Sequence, residues 1–567
     1  MYAPVPPRPK KTNIVRSRNG CKGCRERRTK CDEKKPVCGT CTRLKTACEP
    51  VKPKFEFRVS AATNQNLRSE ARRLAARQQS MLVGTKEEGN PLPNIALTVS
   101  LRRSEREMFY SAYWEDKCLP ALHPMLRSSL DLVAKFPALQ DAVLALSSCN
   151  LSRNAAERRT CDPVDYMGYY CPHATHQARS QQYYSAAIQR FMKLDQSKCR
   201  NNLSLVLIIL VLFAHTESTR GNLEGFNCHI KGLAAFLEDE IGKLNRDQFL
   251  RNLITAWMQP RFQVWWARSY FSTLDFQQRQ PTIKSPVPLQ GILGSIHERR
   301  IAVLSIMCES HRLNATTMLD HWRHRTGPDQ LGYESRYGSY YHDVDHCCML
   351  LAEQSEKLDS WLLHLPLAEH ALHDDVFDNQ TESPMIFQSH DAALNYAYYA
   401  LSRIMQCTGA FRLLATQDYH HLGHECYEAE PWVQLLLQIA EGIDMKKCIN
   451  QNNYTIGFSG LLLAALLRCQ DLLSGRRIER WLQNLLELQP TEEGSFPVYQ
   501  ALAVTKAINR QRMSGRDVFA VSQPVDDGGG TPKLRSYNSQ IIDTLLMHGK
   551  CRMTGDLFTD RISIDNR

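Results

Sequence analysis

The chain has 567 residues, 43% of them hydrophobic, enough apolar material for a sizeable core and for more than one domain. Its net charge of +11 is unevenly placed: residues 1–100 hold 22 Lys/Arg against 8 Asp/Glu, while the other 467 residues sum to −3. A basic head on a near-neutral body points to a polyanion partner for the head alone. The longest apolar run, Leu205–Ala214, is too short for the ~20 residues that span a bilayer, so no membrane role is expected.

Residues 1–20 are Pro-rich and basic with almost nothing apolar to bury, and read as a disordered arm. No secretory signal is expected there. The 20 cysteines are therefore expected in a reducing compartment, where clustered thiols favour metal over disulfides. Within the arm, Lys10, Lys11, Arg16 and Arg18 make a basic tract suited to nuclear import or to extra phosphate contacts.

Six cysteines fall between residues 21 and 48. Cys21 and Cys24 form a C-x-x-C pair with Cys31 six residues on, and Cys38, Cys41 and Cys48 repeat the unit after the loop DEKKPV. A C-x-x-C turn brings two sulfurs to one point, as a tetrahedral zinc requires. One zinc would leave two cysteines idle. Two zincs need eight ligand positions, which six thiolates supply only if two of them bridge both metals. The two-fold repeat makes Cys21 and Cys38, first in each unit, the natural bridging pair. Ferredoxin spacing is absent, so two Zn²⁺ ions per chain are the expected cofactors.

The run GCKGCRERRTKCDEKKPVCGTCTRLKTAC resembles the DNA-binding cluster of the fungal binuclear zinc cluster transcription factors, with Pro36 matching the loop proline. The resemblance implies that Cys21, Cys24, Cys31 and Cys38 hold one zinc and Cys21, Cys38, Cys41 and Cys48 the other. It implies two short helices, the first entering the major groove to read a CGG triplet. Arg27 and Arg28 then occupy base-contacting positions, with Lys22, Arg25 and Lys30 on phosphates. Position 28 is usually Lys in the family; arginine can still bond guanine O6 and N7. Arg43 and Lys45 suit phosphate contacts, and Glu26 and Asp32 read either as tuning the basic side chains or as solvated surface. Zinc would supply the folding energy, because about 28 residues cannot bury an adequate core.

Residues 49–100 read as a polar linker with one helix candidate, 66–82, where Leu67, Leu74 and Met81 recur at seven-residue steps as a short coiled-coil seam. Phe55, Phe57 and Val59 make a brief strand-like alternation. From residue 101 to about 510 the periodicity is helical. Ser104 and Glu107 suggest a capping box at a helix start, with Met108, Phe109, Ala112 and Tyr113 on one face. Similar stripes follow at Leu139–Leu146, Tyr184–Leu194 and Phe226–Leu237, and Leu350–Leu363 and Gly460–Leu473 are apolar and proline-free. The expected fold class is all-α: a small binuclear zinc cluster domain, a linker and a large helical domain. SEREMFYSAYWEDKCLPAL, FPALQDAVLALSSCNLS, YYSAAIQRFMKL and LAEQSEKLDSWLLHLP resemble segments of the family's helical regulatory domain. In the tail, 511–567, Ile541, Ile542, Leu545 and Leu546 suggest one more helix, either docked on the body or free.

Three other clusters carry ligand-type residues without a matching second pair: Cys161, Cys171, His173 and His176; His420, His421, His424 and Cys426; and His342 with His346. They read as loop or helix-surface residues. HDDVFDNQTES, 373–383, reads first as a solvated loop and second as an activation surface. No P-loop, dinucleotide fingerprint, nucleophile elbow or HExxH is present, so an enzyme is not expected. The expected role is a nuclear regulator of RNA polymerase II transcription, an activator by family habit. Its expected partners are double-stranded DNA, the transcription machinery, and a second copy met on DNA or through the body. The alternative is a helical-domain enzyme, or a protein-contact cofactor, that uses the zinc cluster only for targeting.

Overall fold

The structure, a computed structural model, describes residues 21–48 apart from 28, 30, 33, 35 and 36, and most of 95–563. Outside the description lie 1–20, 49–94, 130–132, 160–168, 195–202, 245–247, 284–292, 327–343, 373–382, 416–427, 489–491, 525–543 and 564–567, and single positions 134, 156, 271 and 495. The basic tract Lys10–Arg18, the alternation at Phe55–Val59, the seam Leu67–Met81 and the cluster His420–Cys426 therefore fall outside the described residues. The chain divides into two units, 1–91 and 92–567.

In the first unit, α1 (Lys22–Glu26) and α2 (Gly39–Arg43) are five residues each. Their buried core consists of Cys21, Cys24, Cys31, Cys38 and Cys41, with Cys48 packed against it. Helices this short do not persist alone in water; what surrounds the sulfurs must hold them.

The second unit is built of helices, as its periodicity predicts. A 31-residue helix, Ile296–Thr326, packs against Gln248–Tyr270, Val344–Leu363 and His390–Gln406. Leu205–Ala214 lies inside the helix Leu203–Arg220 with each of the ten side chains at most 4% exposed. A helix apolar all round is a core helix, and no helix among the described residues is long and apolar enough to cross a membrane.

Two local expectations change. The first body helix runs Ile95–Tyr113, starting nine residues before Ser104, so that serine caps nothing. Glu107 instead accepts from Arg103 Nε at 2.8 Å, one helical turn back. Met108 and Phe109 are more than half exposed, and the buried face carries Tyr110 and Trp114. The main-chain carbonyl of Tyr110 accepts from the side-chain hydroxyl of Ser147 on a neighbouring helix at 2.6 Å. In Gly460–Leu473 the apolar run breaks: one helix ends at Leu466, and Asp471 caps the next, Leu472–Glu487, by accepting from Ser474 N at 2.7 Å.

Strands are few. β1 (Glu157–Arg159) pairs with β2 (Tyr169–Cys171), and β3 (Glu492–Glu493) with β4 (Phe496–Pro497). The turn of the second hairpin needs Gly494, at φ +57°, because an added Cβ would meet Gly457 N at 2.5 Å. That hairpin delivers Glu493, 1% exposed, to the start of the helix Phe458–Leu466. Its carboxylate accepts from the main-chain N–H of Phe458 (2.8 Å) and Ser459 (2.6 Å) and from Asn452 Nδ2 (2.7 Å). A negative group there satisfies the orphan donors of a helix N-terminus.

The tail corrects the sequence reading most. Leu545 and Leu546 lie in a strand, not a helix: β5 (Arg516–Ser522), β6 (Thr544–Cys551) and β7 (Leu557–Ser563) form an antiparallel sheet in that order. The sheet docks on the body. On one face Arg516 stacks over Phe558 and donates to Gln511 of the helix Val498–Met513. On the other, His548 packs edge-on against Trp322 and bonds Ser522 Oγ at 2.8 Å. β6 is central and covered on both faces. Burial on both sides replaces alternation with an apolar run that reads equally as helix.

Candidate metal centre

Each C-x-x-C pair opens a short helix, and the second unit repeats the first at an offset of 17 residues. Thr29 N donates to Cys24 O at 3.0 Å, and Thr46 N to Cys41 O at 3.1 Å, the same turn twice. The sulfurs of Cys21, Cys24, Cys31 and Cys38 lie within 4.8 Å of one another, and so do those of Cys21, Cys38, Cys41 and Cys48. Cys21 and Cys38 belong to both sets, which fits the bridging arithmetic of the sequence.

The donor set fits zinc. Sulfurs ~2.3 Å from a tetrahedral zinc stand roughly 3.8 Å apart. Here Cys21–Cys38 is 3.7 Å, Cys21–Cys41 3.5 Å and Cys24–Cys38 3.6 Å. The six cysteines make no disulfide. The N–H of Cys24 donates to Cys21 and pulls its pKa down to about 6, and the N–H of Cys41 lowers Cys38 in the same way. Burial pushes Cys24 up to about 12 and Cys41 up to about 11. The main chain therefore favours the thiolate at the two sulfurs shared by both sets.

Around this centre lie residues whose roles the sequence left open. Asp32 is not idle surface: both its carboxylate oxygens accept from Gly39 N, at 3.0 and 3.1 Å, tying the end of the first unit to the start of α2. Arg27 donates to Cys41 Sγ at 3.5 Å and to Thr46 Oγ1 at 3.1 Å. Lys22, Arg43 and Lys45 are exposed, with Lys45 in the left-handed region at φ +48° beyond the end of α2. The side chains of Arg25, Arg28 and Lys30, and Pro36, lie outside the described residues. The Asp32 contact leaves no spacing signal, whereas the 17-residue repeat of Thr29 and Thr46 was visible in the sequence.

Residues 19–56 match the fungal Zn(2)-Cys(6) binuclear cluster domain family. The cluster is similar to part of the sterol uptake control protein 2 of Candida albicans, 46% identical over 54 residues, 9% of this chain and 8% of that one. It is similar also to the transcription activator AMTR1 of Alternaria alternata, 46% over 52 residues, 9% and 7%. A third relative is the pestheic acid cluster transcriptional regulator 3 of Pestalotiopsis fici, 52% over 46 residues, 8% of each. The chain thus spans no more than 8% of the length of these relatives. No solved structure matches the chain.

Of the other ligand-like clusters, Cys161, the side chain of Cys171, His342 and His420–Cys426 lie outside the described residues, and the described members have other partners. The rings of His173 and His176 lie tilted, 4.6 Å apart, but His176 Nδ1 is bonded to Tyr110 OH at 2.9 Å, a link between helices. His346 is exposed on the helix Val344–Leu363, while Cys347 turns inward to Leu313 O. Among the described residues, the two cysteine tetrads are the sets placed to hold a metal.

Proposed function

We propose that this protein is a zinc-dependent, sequence-specific DNA-binding regulator of RNA polymerase II transcription, acting in the nucleus as an activator rather than as an enzyme. The observation that carries the proposal is the pair of sulfur tetrads sharing Cys21 and Cys38, beside a helix rich in basic residues. Cys21, Cys24, Cys31, Cys38, Cys41 and Cys48 hold two zincs, which fix α1 for entry into the major groove of GC-rich, CGG-like sites. Arg28, with Arg27, reads bases; Lys22, Arg25, Lys30, Arg43 and Lys45 hold phosphates. Lys10, Lys11, Arg16 and Arg18 serve import. Residues 49–100 link the cluster to a regulatory body, 101–510, with 511–567 completing it. A second copy joins on DNA or through the body, because one triplet recurs too often to select a genomic site.

The test is selection of duplexes from a random pool by the full zinc-loaded chain. GC-rich triplets should be enriched, and Arg28→Ala should cost ~1–3 kcal/mol on the preferred site and relax its specificity. A pool that emerges unenriched would overturn the DNA-reading role, and unchanged specificity in Arg28→Ala would overturn the assignment of the reading face.

A further inference from the structure

We propose that Arg27 is a positioning residue of the second metal site, clamping the Cys41 thiolate, and that Gly23 is the residue that admits it. The inference rests on the binuclear reading above and narrows its set of base readers to Arg28. Three observations support it. The Arg27 guanidinium reaches back over the cluster, with Nη2 3.5 Å from Cys41 Sγ and 3.1 Å from Thr46 Oγ1. Thr46 is itself anchored, its N–H donating to Cys41 O, so the guanidinium grips the sulfur and the turn that carries it. A Cβ on Gly23 would stand 3.1 Å from Arg27 Nη2 and 3.5 Å from Ala47 O, so a larger side chain at 23 displaces the guanidinium.

The chemistry favours this placement. Six thiolates and two Zn²⁺ carry a net charge of −2, and Cys41 belongs to one tetrad only. A charge-assisted N–H···S bond to such a sulfur orients it and disperses its charge, the usual part of a group that contacts a ligand and not the metal. The 17-residue repeat shows that the arrangement is one-sided. Arg27, Gly23 and Cys41 correspond to Leu44, Thr40 and Cys24, and Leu44, 47% exposed, has no donor to offer. The clamp thus distinguishes the zinc held by Cys21, Cys38, Cys41 and Cys48 from its twin.

The experiment follows zinc transfer from the full, two-zinc chain to a chromophoric chelator, with the sulfur-to-metal absorption of the cadmium form as a second readout. Arg27→Gln should speed the loss of one zinc of the two, by roughly 10- to 100-fold as for other such contacts, and alter the cadmium band. Arg27→Lys should restore part of the retention, and Arg28→Gln should leave both zincs at the wild-type rate. Gly23→Val should mimic Arg27→Gln with the arginine still present, which covers the case of a misfolded Arg27→Gln. Wild-type release from Arg27→Gln and Gly23→Val, with altered base preference in Arg27→Gln, would overturn the clamp and return Arg27 to the reading face. Equal acceleration of both zincs would overturn it too. Two zincs on a wild-type chain that selects no duplex would sink the DNA-reading role and leave the clamp standing.

Discussion

The head and the body of this chain solve the same problem, holding backbone in place against conformational entropy, with different materials. In the head the buried residues are cysteines, and two five-residue helices hang on their sulfurs. In the body a nine-residue helix, Phe458–Leu466, is buried at every position and is only one layer of a large apolar core. Local ligands can order a short segment that packing cannot, and packing can order hundreds of residues that share no local motif. The two regions should therefore fail under different insults. All eight tryptophans lie between Trp114 and Trp481, so their fluorescence reports on the body alone.

The largest separation should come from the metal. Structural zinc in small domains contributes roughly 10–16 kcal/mol of apparent binding energy. Cys38→Ala should lose both zincs and all specific DNA binding, whereas Cys48→Ala should disturb mainly one. Chelation should do the same to the head and leave the thermal transition of the body, followed by tryptophan fluorescence, where it was. A body transition that moved with zinc content would break the comparison.

Acid should reach the body directly, through its buried histidines. Burial holds the pKa of His215 and His311 down to about 3 and of His229 and His297 to about 4, against an ordinary value near 6.5. These imidazoles stay neutral in the folded body and take up protons once it unfolds. Their contribution is fully present above pH ~6.5 and declines as pH falls from there towards their folded values. At pH 5 each such histidine destabilises the body by about 2 kcal/mol. Urea midpoints read by fluorescence from pH 7 to pH 5 should fall steeply, and a flat profile would show that these side chains are not held neutral.

A smaller, local break lies at Glu493. Removing its carboxylate leaves the N–H groups of Phe458 and Ser459 and the Asn452 amide without their buried acceptor, which costs ~3 kcal/mol. Glu493→Ala should lower the melting temperature of the body and leave zinc content and duplex binding of the head unchanged. Smallest of all is Lys45→Gly. A side chain at φ +48° costs ~1 kcal/mol. Its relief should raise the chelator concentration needed to strip the cluster about fivefold.

The cluster could be read before any coordinates because its contacts are local. Six ligands within 28 residues require two bridging thiolates by valence, the two-fold repeat points to Cys21 and Cys38, and the resemblance to the family implied the membership of each tetrad. The helical body was legible where helices have one wet and one dry face, as at Tyr184, Ala187 and Phe191, or where a run is apolar throughout, as at Leu205–Ala214. Signals shorter than their context misled: Ser104 and Glu107 match a capping box but sit in mid-helix, and Met108 and Phe109 match a stripe that the core does not use.

What the sequence determined by itself was therefore the metal chemistry of the head and the helical class of the body, both written in spacings of a few residues. Tertiary structure alone decided that Leu545 and Leu546 extend into a strand between β5 and β7, that Asp32 fastens the second unit, and that Arg27 turns back onto Cys41. In each case the deciding partner lies outside the local window: Asp32 and Arg27 bond residues 7 to 19 positions away, and β6 is covered by helices more than thirty residues earlier in the chain. A local period records which face of a segment meets the core, and a segment buried on every face, or a side chain free to choose its partner, has no period to record.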